Sequence, residues 1–157
     1  MNKTILLWII VYGGIGVLLS YWWVSHQRDA QKLWGGIESK WIWKIGGTLT
    51  AIGFLYIAYY LIGTNVVITT SLIVTYVFFY LSAGTWVFVT VMAIRNPTLV
   101  NKGVVFLNLM CTAITSGLIM FLLSPELKKD VLLTISLILL CVQHVILDLV
   151  VWFIYFV

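Results

Sequence analysis

The aliphatic and aromatic run that ends this chain is interrupted by polar or ionisable residues, the most informative being Thr134, Cys141, Gln143, His144 and Asp148. Asp148 stands out, because a carboxylate inside a bilayer-crossing stretch costs about 2.5–3.5 kcal/mol and so tends to face a bundle interior for a reason. On a helix, Cys141, His144 and Asp148 stand at offsets of three and four and share one face, with Thr134 one heptad above Cys141. Three chemistries fit such a stripe. It can be a hydrogen-bonding wall for a bound ligand, a proton-linked pair in which His144 and Asp148 share charge, or a structural His–Asp or Asp–Tyr bond that locks helices together. Metal binding fits less well, since these three potential ligands lie on one helix and no second cluster faces them. Bis-histidine haem ligation is disfavoured too, because the other histidine, His26, belongs to the end of the first apolar run. No nucleophile with its base, phosphate loop or paired-carboxylate site is recognisable, which weighs against an enzyme.

The aromatic residues form a second set of candidates. Trp, Tyr and Phe occur eight times each. Trp8, Trp22, Trp23, Trp41, Trp43 and Trp152 fall near the ends of apolar runs, where aromatic belts anchor helices at the membrane surface. Trp86 instead lies well inside a run, beside Ala83 and Gly84, where a large ring next to small residues lines a cavity for a flat apolar ligand or simply packs helix on helix. Tyr56, Tyr59 and Tyr60 share a helical face, and their hydroxyls require partners if buried. Small residues four apart, Gly47 with Ala51 and Ala113 with Gly117, together with Gly13, Gly14 and Gly16, suit close helix packing within the bundle or in a homodimer. The Gly-x-Gly at 14–16 sits inside an apolar helix and is no nucleotide fingerprint.

The elements that must position these residues follow from composition. Of 157 residues 62% are hydrophobic and only 9% charged, with a mean hydropathy of +1.10, which excludes a soluble domain of ordinary composition. A span needs about 20 apolar residues, so five take about 100 and leave only loops. The expected fold is all-α, a single integral membrane bundle of five transmembrane helices at about 4–25, 45–62, 66–94, 103–124 and 131–157. The first run resembles a signal peptide at its start but continues through Tyr21, Trp22 and Trp23 in place of a cleavage site, so it reads as a retained helix. The stretch 26–44 mixes charges with tryptophans and is expected to lie along the interface. Gly63, Thr64 and Asn65 alone join the second and third helices, which forces an antiparallel hairpin. The third run, at roughly 43 Å, must tilt or protrude from a core of about 30 Å.

The basic residues fix an orientation. With an odd number of spans, Arg28, Lys32, Lys40, Lys44, Arg95 and Lys102 fall on one side and Lys3, Lys128 and Lys129 on the other. The positive-inside rule then places the N-terminus outside and the C-terminus on the cytoplasm-like side. A net charge of +4 distributed at helix ends gives no nucleic-acid-binding surface. Both cysteines, Cys111 and Cys141, lie in apolar runs, so no disulfide framework is implied.

This layout resembles the TspO/MBR family, the translocator or tryptophan-rich sensory proteins. Trp86 followed by Arg95-Asn96-Pro97, Asp148 four residues before Trp152, and Leu55-Tyr56 stand where the family has comparable motifs. The chain departs from the pattern in lacking the proline-rich segment before the second helix and in having Ala83 where the family has Asn. The resemblance implies a cavity that binds tetrapyrroles or sterols, with porphyrin or haem as a ligand, in a sensor, carrier or regulator. It also implies that Trp86 and Tyr56 line the cavity while Asp148 and Trp152 flank it. The residues by themselves leave two further readings open: a small accessory subunit of a larger membrane complex, and a proton-coupled small transporter using His144 and Asp148.

Overall fold

The computed structural model describes residues 2–28, 32–33 and 41–156, and within the last segment the side chains of 41–44, 151, 155 and 156 are not described. Most of the expected interfacial stretch, with Trp34, Glu38 and Lys40, lies outside the described residues, as do the side chains of Trp41, Trp43 and Lys44. The described chain is helical throughout its length: α1 (Asn2–Ser25), α2 (Trp41–Gly63), α3 (Thr70–Arg95), α4 (Leu99–Leu122), the short α5 (Ser124–Leu127) and α6 (Val131–Val142), which continues as a π-helical segment (Gln143–Val150) and then α7 (Val151–Phe156). Among the described residues, five helical stretches are long and apolar enough to cross a membrane.

Local chemistry sets the boundaries. Thr69, in extended backbone, caps α3 by accepting from the Leu72 amide at 3.2 Å. The helix therefore starts four residues later than hydrophobicity alone suggests. Thr98 caps α4 in the same way through the Asn101 amide, which starts that helix at Leu99, four residues earlier than expected. Asp130 caps α6 by accepting from the Leu133 amide at 2.8 Å. In each case a hydroxyl or carboxylate satisfies an orphan amide of the first turn, so position follows the cap and not the edge of the apolar run.

The helices alternate in direction. The Asn2 side-chain amide donates to the Ile68 carbonyl at 3.0 Å and Lys3 Nζ to the Thr64 carbonyl at 2.8 Å. At the other end Arg95 donates to the Gln27 side chain at 3.0 Å. α1 and α3 thus run parallel, with α2 returning between them in sequence. α3 packs against both α1 and α4, while α2 packs mainly against α6. α3 is the central element, with half of its most apolar window buried against 17% for α1.

Two glycines let helices approach closely. A Cβ on Gly13 would stand 2.4 Å from Tyr80 Cγ, so the α1 backbone rests directly on that ring. On α2, a Cβ on Gly53 would meet the Ser136 backbone at 3.2 Å, which makes Gly53 the α2–α6 contact. Gly47 and Gly117, expected to mediate packing, have open space where a side chain would be. Large apolar side chains, among them Trp8, Leu18, Leu55, Tyr59 and Phe121, cover the outer surface. A surface of that kind is the mark of a partner or an apolar solvent.

Candidate ligand cavity

Small residues opposite one another leave space in the bundle. Gly14 of α1, Gly47, Ala51 and Ala58 of α2, and Ala83 of α3 all face a cavity of about 860 Å³, with Phe54, Phe79, Tyr80 and Trp86 as its larger walls. Leu109 and Thr112 of α4 contribute, and Leu140, Gln143, His144 and Asp148 close it. Ile15, Leu18 and Leu55 line the cavity and are also exposed on the outside, so its mouth lies between α1 and α2. Mostly apolar walls with a few convergent polar groups are the usual makeup of a small-molecule site.

The polar groups lie on the π-helical segment. In an α-helix, positions five apart point about 140° away from each other. The wider π turn brings them together: Gln143 Nε2 donates to Asp148 Oδ1 at 3.0 Å. His144 Nε2 stands 3.8 Å from Asp148 Oδ2, beyond hydrogen-bonding distance. His144 Nδ1 is 2.8 Å from the Leu140 carbonyl. A carbonyl only accepts, so Nδ1 carries the proton, and when the ring is neutral Nε2 presents a lone pair. The Phe79 ring meets the imidazole edge to face at 5.3 Å. π-helical turns recur at functional sites because they reaim side chains in this way.

Trp86 is 5% exposed and lines the cavity; its Nε1 donates to the Tyr21 hydroxyl at 3.1 Å, with the two rings edge to face. Trp86, His144 and Asp148 therefore share one cavity. Two other expected site residues are elsewhere. The Tyr56 hydroxyl donates to Asp130 Oδ2 at 2.9 Å, which holds it at the helix end away from the cavity lining. Tyr60 donates likewise to Glu126 at 3.0 Å, and Tyr59 points outward. The tyrosine face thus fastens α2 to the turn before α6. The Leu133 amide, together with Tyr56, holds the Asp130 carboxyl below its usual range, and Lys129 does the same for Glu126. Trp152 is buried in a cluster with Val87, Val91, Val105 and Trp86 and is not among the cavity-lining residues.

The stripe expected on the last helix is rearranged. Thr134 donates to the Leu127 and Asp130 carbonyls at 2.8 and 3.1 Å and caps its own end. Cys141 turns to Met120 of α4, 3.8 Å between sulfurs. Gln143 takes their place beside Asp148. Among the described residues no cluster of three His, Cys, Asp or Glu side chains could hold a metal. His26 hydrogen-bonds at the end of α1, remote from His144. Tyr21 and Tyr80 are cavity residues that sequence reasoning did not single out; the glycine opposite Tyr80 was the available signal. Compared with known proteins, the chain matches no family model, no curated protein and no solved structure.

Proposed function

We propose that the chain is an integral multi-pass membrane protein, N-terminus outside, that binds a planar apolar ligand of tetrapyrrole or sterol type in the cavity between α1, α2, α3 and the last helix. One observation carries the reading: a cavity of about 860 Å³ walled by Trp86, Tyr80 and small residues, with its few ionisable groups gathered at Asp148. The volume falls within the range of about 300–1,000 Å³ typical of small-molecule sites. The resemblance to the TspO/MBR layout implies the same ligand class. Titration of the purified protein with a carboxylate-free porphyrin should quench tryptophan fluorescence saturably. Trp86→Phe should remove much of that quenching, while Trp22→Phe, a residue 64% exposed at the end of α1, should leave it. Linear, unsaturable quenching, or equal loss from both variants, would reduce the effect to partitioning into the micelle. Cysteines placed at Asn2 and Arg28, which lie at opposite ends of α1, should label from opposite sides of an intact membrane, Asn2 from the outside.

A proton-coupled carrier is the second reading, favoured by the 3.8 Å approach of His144 to Asp148 on the cavity wall. It requires substrate uptake into liposomes driven by a pH gradient and abolished in Asp148→Asn, since the amide keeps size and hydrogen bonding but carries no proton.

A further inference from the structure

The polar end of the cavity is rich in acceptors. Gln143 is 8% exposed, its Nε2 is committed to Asp148 Oδ1, and its Oε1 is buried with no partner in the protein. His144 has committed Nδ1 to Leu140, leaving the Nε2 lone pair. Asp148 Oδ2 faces that lone pair across 3.8 Å. With Asp148 ionised and the ring carrying its proton at Nδ1, two acceptors face each other there. The neighbouring hydroxyls of Thr50 and Thr112 donate to the Leu139 and Asn108 carbonyls. No Lys or Arg lines the cavity; the other hydroxyls on its wall are those of Tyr21, Thr48 and Tyr80. A buried acceptor without a donor costs about 1–3 kcal/mol, and more when it is charged.

We propose, building on the ligand-binding reading above, that the occupant is a lipophilic amine whose ammonium group docks between His144 Nε2 and Asp148 Oδ2, with its apolar body along Trp86 and Phe79. An ammonium has donors for both acceptors and a charge opposite to that of Asp148. The aromatic walls add to this preference, since ring faces attract cations in desolvated sites. An alcohol of the same shape offers one donor and no charge. A carboxylic acid brings a second anion to Asp148 and is excluded.

The test uses three probes with one planar body: 1-pyrenemethylamine, 1-pyrenemethanol and 1-pyrenecarboxylic acid. Each is titrated into the full-length protein in phosphatidylcholine nanodiscs, with energy transfer from tryptophan to pyrene as the signal and empty nanodiscs as the blank. The expected result is saturable binding of the amine at least about tenfold tighter than of the alcohol, the scale of one charge-assisted hydrogen bond, and no saturable signal from the acid. Asp148→Asn should bring the amine-to-alcohol ratio to within about twofold, because the amide cannot pair with the charge. Alcohol binding equal to or tighter than amine binding in the wild type overturns the proposal. A ratio that survives Asp148→Asn overturns it as well. If none of the three probes saturates, the cavity-binding reading itself fails, an outcome distinct from loss of head-group preference alone.

Discussion

Gly13 and Gly14 are adjacent on α1, yet they meet different surroundings, and replacing each by alanine isolates the energy of one contact. At Gly13 the new methyl would lie 2.4, 2.5 and 2.8 Å from three carbons of the Tyr80 ring, including Cγ at its root. That ring has little room to move, because Phe54 meets it edge to face at 5.7 Å and Tyr76 packs at 6.2 Å. At Gly14 the methyl enters open space. Both substitutions gain the same intrinsic helix preference of alanine over glycine, about 0.8–1.0 kcal/mol, so it cancels in their difference. What remains is the overpacking penalty at Tyr80, about 1–3 kcal/mol. Gly14→Ala should therefore be more stable than Gly13→Ala by about 1–3 kcal/mol, roughly 5- to 150-fold in the unfolding equilibrium. Reversible unfolding in mixed micelles, followed by circular dichroism, measures the gap. In a Tyr80→Ala background it should close, as expected for two side chains that act only through each other. Equal stability of the two alanine variants in the wild-type background would refute the packing of α1 on Tyr80.

Filling the cavity from its small-residue wall provides a second check: Ala51→Leu should abolish saturable porphyrin quenching while leaving the unfolding midpoint unchanged or raised. Gly53→Val should do the reverse and destabilise the protein, because its branched side chain would push α2 from the Ser136 backbone; comparison with Gly47→Val, which faces open space, controls for propensity. The turn that holds Asp130 and Glu126 should loosen only in acid. Both carboxyls are held below their ordinary range, so their contribution is complete above the unfolded values of about 4 and disappears as the pH falls through the lower folded values. Hydrogen exchange across 126–134 should accordingly be flat from neutral pH to about 5 and accelerate, beyond its intrinsic pH dependence, only below about 4.

Five apolar runs were enough to place five helices, because hydrophobic length is set by the thickness of a bilayer and little else. Ala83 beside Trp86 was legible for a related reason: a small residue next to a bulky ring leaves room that some neighbour has to line, and both line the cavity, whereas Gly84 does not. The pairing of Gln143 with Asp148 was not legible. Offsets were counted on an α-helix, where five residues point apart, and nothing in the local sequence announces the π turn that reverses this. Tyr56 was misplaced for a different reason. Its hydroxyl had two classes of partner available, and the choice of Asp130 depends on where the α5–α6 turn meets α2, a long-range contact invisible to periodicity.

The mouth between α1 and α2 opens where Ile15, Leu18 and Leu55 face outward. Under the proposed function, a ligand approaching that opening within a bilayer has already left water, so the hydrophobic effect has acted before binding begins. Lipid tails solvate an apolar surface about as well as leucine does. Exchanging them for the cavity wall therefore yields little free energy from burial as such. Selection among lipid-dissolved molecules must come from shape against Trp86 and Tyr80 and from hydrogen bonds at the closed end. Affinity then scales with mole fraction in the membrane, and a dissociation constant referred to the aqueous phase would change with the amount of lipid in the assay.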